Sequence, residues 1–187
     1  MDNLYTYLDD STSIRLLQTL SGMMEEENID EISTSSLIQR SGVGRTTFYR
    51  KYRSKYDFLN QCYQKLLDNT LGLVSEGLSY KKSFYKLYNV LGANPSFYSN
   101  ALSSNHPDGL LQYIKNQSYK ALSYLIKADY PVMTTAQQLK LKGYVAGTME
   151  ITCKWIEDPC LSVEELFRIN YDLMPNELQF SVAMYYM

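Results

Sequence analysis

The stretch Leu37-Ile38-Gln39-Arg40-Ser41-Gly42-Val43-Gly44-Arg45-Thr46-Thr47-Phe48-Tyr49-Arg50-Lys51-Tyr52-Arg53-Ser54-Lys55-Tyr56-Asp57-Phe58-Leu59 decides the fold. It reads as two short helices meeting at a glycine. The first, Leu37 to Ser41, stops at Gly42, a residue without the Cβ that penalises a left-handed turn. The next begins within three residues and runs from Arg45 to Tyr52. The hydroxyls of Ser33, Thr34, Ser35 and Ser36 offer caps for the first of these helices, and Ser54 caps another that carries Phe58, Leu59, Cys62 and Leu66 and is open to continuing past Leu73. Upstream, Ile14, Leu17, Leu20 and Met24 mark the apolar face of a helix over residues 12–27, with Ser11 or Thr12 as its cap. Two short helices around a glycine turn form a helix-turn-helix, whose second helix is placed to enter a DNA major groove.

Charge is distributed to match. The chain of 187 residues has a formal net charge of −2, which at first sight disfavours a polyanionic partner. That value averages unlike regions. Residues 1–32 carry −7 and residues 68–187 carry −1, whereas residues 33–67 carry +6, with Arg40, Arg45, Arg50, Lys51, Arg53, Lys55 and Lys65 against Asp57 alone. The basic patch coincides with the helix-turn-helix and with nothing else.

These residues resemble the DNA-binding signature of the TetR (tetracycline-repressor-like) family over residues 12–65. Gly42-Val43, Thr47-Phe48-Tyr49 and Ser54-Lys55-Tyr56-Asp57-Phe58 match motifs that recur there in this order. Ser41 stands where alanine is usual, Gly44 where a capping serine or threonine is usual, and Tyr52 where phenylalanine is usual, so a looser start to the recognition helix and a solvent-directed Tyr52 hydroxyl are expected. The resemblance implies core roles for Leu37, Val43 and Phe48. It implies contacts to the sugar-phosphate backbone for Thr34, Thr47, Tyr49, Lys51 and Lys55, with Arg50 counted in the same DNA-facing set. It places Arg45 and Thr46, and more weakly Ser35, at base-reading positions, where a guanidinium can present two donors to guanine and a threonine methyl can meet a thymine methyl.

Beyond residue 67 helical periodicity continues over 81–92, 95–103, 107–128, 134–157 and 162–174, with Pro95, Pro107, Pro131, Pro159 and Pro175 at the boundaries. The expectation is an all-α protein: a three-helix DNA-binding domain at 1–67 and a helical domain at 68–187. By the resemblance the latter carries homodimerisation and a small-molecule effector site. Gly143 and Gly147 leave a shallow stripe on the long penultimate helix, read either as a dimer face or as packing within the chain. Trp155-Ile156 and Ser162-Val163-Glu164-Glu165-Leu166 resemble one TetR subgroup, the regulators associated with dihydroxyacetone kinase genes, some of which activate or coactivate. Of 18 tyrosines, 12 follow residue 68; packing and surface roles suit most of them, and an effector pocket is the alternative.

Other classes fit poorly. The one histidine, His106, has no nucleophile-elbow, Walker or dinucleotide fingerprint beside it, so an enzyme is not expected. Cys62, Cys153 and Cys160 lack the paired spacing of a metal site, and no cofactor is expected. No apolar run reaches the roughly 18 residues of a membrane span and the N-terminus is acidic, so a cytoplasmic protein without membrane contact is expected. The reading is a homodimeric regulator, a repressor by default, on a palindromic double-stranded operator. A protein-binding coactivator or adaptor of the same fold is the alternative.

Overall fold

The computed structural model describes residues 4–129 and 131–183. Among these there are ten α-helices and no strand. A 3-10 turn, Leu4–Tyr7, precedes α1 (Ser11–Glu26), whose cap is Asp10 rather than Ser11 or Thr12: its carboxylate accepts from Ser13 N at 3.0 Å. Helix α2 (Thr34–Ser41) starts three residues earlier than expected because Ser33, the first hydroxyl of the run, accepts from Ser36 N at 2.9 Å and ends the search for a cap. Then come α3 (Arg45–Lys51) and α4 (Lys55–Asp68), the latter capped by Ser54 through Asp57 N. Helix α4 does not reach Leu73; residues Leu71–Glu76 tighten into a 3-10 turn that closes at Gly77, φ 96°.

The second half comprises α5 (Tyr80–Ala93), α6 (Pro95–Leu102), α7 (Leu110–Asp129), α8 (Thr135–Glu157), α9 (Val163–Asp172) and α10 (Asn176–Ala183). All five prolines lie at helix starts or between helices, as their missing N–H requires. Helix α10 was not expected. Pro175 reads as a stop, yet its carbonyl accepts from Leu178 N and Gln179 N and so opens the next helix.

Leu16, Leu17 and Leu20 of α1, Leu37 of α2, Phe48 of α3 and Phe58, Leu59 and Leu66 of α4 are fully buried together. The same apolar cluster runs on through α5, α6, α8 and α9, ending at Phe167, so buried side chains pass continuously across the end of α4. A smaller cluster, Ile126, Leu141, Val145, Met174 and Leu178, joins α7, α8 and α10. Polar bonds fix the first three helices to the rest. Asn100 on α6 donates to the carbonyls of Met24 and Glu27 at 2.8 and 2.9 Å and accepts from Ile29 N at 2.8 Å, which satisfies three backbone groups at the end of α1.

Several tyrosines tie distant parts of the chain together. Tyr88 bonds Thr152 at 2.8 Å, Tyr144 donates to Asn170 O at 3.2 Å, Tyr113 to Gln64 Oε1 at 2.7 Å and Tyr56 to Asp30 at 2.7 Å. In each case the ring fills an apolar interface while the hydroxyl reaches a polar group on another element. Phe84 stacks on Tyr88 at 4.0 Å and meets Phe167 edge-on at 5.2 Å, so aromatic rings occupy the space between α5, α8 and α9.

Candidate nucleic-acid interface

The α2–α3 turn is built by three consecutive residues. Gly42 adopts φ 66°, the left-handed region, and its N–H returns to Gln39 O. Ser41 is buried, donates to Ile38 O at 3.0 Å and accepts from Val43 N at 3.3 Å, so its hydroxyl closes the turn where alanine would leave both groups without it. Gly44 precedes α3 with no side-chain cap, as its lack of a side chain dictates. Val43 and Phe48 then point inward, Phe48 with no exposed surface, and its ring lies 5.4 Å from Tyr52, which meets Phe58 edge-on at 4.9 Å.

Anchoring one face of α3 leaves the other outside. Arg45, Thr46, Tyr49 and Arg50 are exposed, as helical spacing of i, i+1, i+4 and i+5 demands, and Thr47 is half-buried beside them. The Arg45 guanidinium lies over the Tyr49 ring, 5.8 Å from its centroid, and Tyr49 rests edge-on against Phe48 at 5.3 Å. Among the described residues Arg45, Arg50 and Arg53 are exposed and have no acidic partner. The remaining cations of the patch are engaged: Arg40 with Glu26 at 3.4 Å, Lys51 with Asp10 at 3.0 Å and Lys65 with Asp9 at 2.7 Å. Near the start of α2, Ser35 is exposed and Thr34 is half-buried, its hydroxyl accepting from Lys55 N at 3.2 Å.

Two expectations change here. Lys55 does not face solvent. Only 5% exposed, it donates through Nζ to Asp30 O at 3.0 Å and to Ile32 O, with the Tyr56 ring 4.7 Å away. Burial pushes its ammonium below the ordinary lysine range, against the opposing pull of Asp30 and Glu27. The side chain that the family resemblance aims at phosphate thus holds the loop leading into α2. Nor does Tyr52 send its hydroxyl outward. That group lies 2.6 Å from Ser13 Oγ in the interior, and because Ser13 spends its single proton on Asp10 Oδ2 at 2.7 Å, Tyr52 is the donor. Burial raises the pKa of Tyr52. Burial also acts to raise that of Asp10, but the hydrogen bonds from Ser13 and the adjacent Lys51 outweigh it and bring the carboxyl down to about 2. The chain Tyr52, Ser13, Asp10, Lys51 therefore ties the end of α3 to the start of α1. Sequence reasoning missed Asp10; an acid directly before a helix was its only local signal.

In the second half, Gly143 and Gly147 lie on an exposed face of α8, and a Cβ built on either meets nothing within 4 Å. Packing against the described residues therefore does not account for them. Leu139, 62% exposed, and Leu173, 51% exposed, lie beside this stripe, and a groove of about 380 Å³ runs between Lys140, Gly143, Tyr144 and Gly147 on one side and Leu173, Pro175 and Asn176 on the other. A second groove, about 560 Å³, lies between α7 and the start of α8, with Tyr119, Lys120, Tyr124, Lys127, Val132 and Gln138 in its walls. Among the described residues no group of His, Cys, Asp or Glu could hold a metal ion, and no helix is long and apolar enough to cross a membrane. His106, stacked on Tyr56 at 4.3 Å, accepts from Asp108 N through Nδ1 at 3.1 Å and sits in a loop.

No protein-family model matches the chain, and no curated protein matches it in sequence. Its structure is similar to that of a solved protein, the dihydroxyacetone kinase operon activator DhaS, with a TM-score of 0.57 and 16% identity, over 94% of this chain and 98% of that one. That protein is, by its name, of the subgroup that Trp155-Ile156 and Ser162–Leu166 resemble. Over 94% of its length, the chain has an all-helical fold like that of DhaS.

Proposed function

We propose that the protein is a homodimeric transcription regulator that binds a near-palindromic double-stranded operator through its paired α2–α3 heads. One observation carries this reading: Arg45, Arg50 and Arg53, exposed and without an acidic partner among the described residues, lie on the outer face of the recognition helix or just past its end, beside Thr46 and Tyr49. Arg45 and Thr46 at the N-terminal end are placed to read base edges. Thr34, Thr47, Tyr49, Arg50 and Lys51 position the head on phosphates, and Ser35 supplements the base-reading pair. Lys55 supports them from inside.

The bare glycine stripe of α8 with Leu139 and Leu173 supports the dimer, since exposed apolar side chains flanking glycines allow a symmetry-related helix to approach closely. Two heads so joined would meet successive major grooves about 34 Å apart. Repression by covering a promoter is the simplest consequence; an operator upstream of the promoter would turn the same binding into activation, the mode for which DhaS is named. A small-molecule effector would find room in the α7–α8 groove, which falls within the usual volume of such sites and presents Lys120 and Lys127 to an anionic group. It would lower operator affinity only by the ratio of its affinities for the two head spacings.

The test is selection of binding sites from random duplexes with the purified protein, followed by titration of the enriched duplex. An enriched inverted repeat with half-sites one helical turn apart supports the reading. No enrichment, together with binding that does not respond to salt, favours the adaptor.

A further inference from the structure

The acid that caps α1 lies against the last residue of the recognition helix. Asp10 Oδ1 accepts from Ser13 N at 3.0 Å and Oδ2 from Ser13 Oγ at 2.7 Å, so the carboxylate is held by its own helix and does not swing. Lys51 reaches to it, Nζ to Oδ2 at 3.0 Å, while both side chains keep about 40% of their surface in solvent, 37% and 41%. The lysine is the mobile partner of the pair and the carboxylate the fixed one. A second ion pair, Asp9 with Lys65 at 2.7 Å, lies across the same cleft of about 330 Å³, yet Lys65 belongs to α4 and not to the recognition helix.

We infer that Asp10 is an internal competitor of DNA phosphate for Lys51 and so a specificity-determining residue of the head. This rests on the DNA-binding reading given above. A lysine that neutralises a phosphate releases a condensed counterion from the duplex; each such lysine steepens the fall of affinity with salt by about 0.9 in log–log slope. With the Asp10 carboxylate fixed 3.0 Å away, Lys51 meets the duplex as half of a neutral pair and this contribution is suppressed. The consequence falls on sequence-independent binding, which is made of such contacts. Arg45 and Arg50, which have no acid of their own, keep theirs. With Asp10 set against the end of α3, the hold on arbitrary DNA is lowered while base reading at the N-terminal end of that helix is left untouched.

The experiment uses the full chain and a fluorescein-labelled mixed-sequence duplex of about three helical turns, titrated by anisotropy between about 50 and about 200 mM salt. Asn caps a helix as well as Asp, so Asp10→Asn keeps α1 and removes the charge; melting curves confirm folding. For a dimer, Asp10→Asn is expected to steepen the slope by nearly two units, so that affinity falls about tenfold more than wild type over that range. Asp9→Asn makes the same change in net charge next to a lysine off the recognition helix and is expected to do less. In a Lys51→Gln background Asp10→Asn is expected to do nothing. Equal effects of Asp10→Asn and Asp9→Asn, or an effect that persists without Lys51, would reduce the inference to a general charge effect and overturn it. A salt-sensitive wild type with an unchanged Asp10→Asn variant would overturn the inference alone; a wild type that binds no duplex would remove the functional reading with it.

Discussion

Replacing Lys55 by methionine separates the role implied by family resemblance from the one the structure assigns. Methionine keeps most of the buried stem and deletes the ammonium, which donates to Asp30 O at 3.0 Å and to Ile32 O. Hydrogen bonds from a charged donor contribute roughly 1.5–3 kcal/mol each, and a buried carbonyl stripped of its donor costs about 1–3 kcal/mol. Against this, the folded state no longer has to desolvate a charge, a burden visible in the lowered pKa of Lys55. The balance is a loss of about 2–3 kcal/mol, which for a chain of this length lowers the melting midpoint by roughly 5–10 °C. Thermal and denaturant unfolding measure that loss, and salt-dependent DNA titration well below both midpoints measures the alternative. The structure predicts a destabilised Lys55→Met whose salt slope matches wild type. Unchanged stability with a slope flattened by about 0.9 per head would refute the reasoning and return Lys55 to the phosphate.

Three further outcomes follow from the same geometry. Arg45→Ala should weaken the selected operator by about 1–3 kcal/mol and relax base preference at one position per half-site, read by competition with single-base variants. Tyr52→Phe removes a buried donor to Ser13 and should lower stability by about 1 kcal/mol in denaturant unfolding, with operator affinity little changed. Acid unfolding should reveal Asp10. Its folded pKa of about 2 lies below the ordinary aspartate value of 3.8, so its stabilisation is present above about 3.8 and lost as pH falls through about 2. Allowing for solvent screening of a carboxyl 41% exposed, wild type should lose about 1 kcal/mol more than Asp10→Asn between these pH values.

What could be read from the sequence was local. Gly42 between two short apolar-faced segments, Ser54 before α4 and the five prolines each act on their own backbone, and the helices they delimit fall within a few residues of where those signals place them. What could not be read depended on partners distant in the chain. The basic character of Lys55 is evident, but the carbonyls that bury it belong to Asp30 and Ile32, more than twenty residues upstream. Tyr52 turns inward because Ser13, 39 residues away, waits there with an open lone pair. Helix α10 was hidden because proline reads equally as the end of one helix and the start of the next. Part of the tyrosine excess, opaque as composition, becomes intelligible once the hydroxyls of Tyr88, Tyr113 and Tyr144 are seen to find their partners on other helices.

The central claim is that a chain whose net charge is −2 binds DNA through a local patch on α3. Its most direct test is the binding of a selected inverted-repeat duplex by wild type and by the Arg45→Ala, Arg50→Ala double variant, across salt, with folding verified by melting. Wild type should bind tightly and with strong salt sensitivity, and the variant should show a slope flatter by about one unit per head or more with base preference lost at the half-site. Equal affinity and equal slope for the two proteins would contradict it.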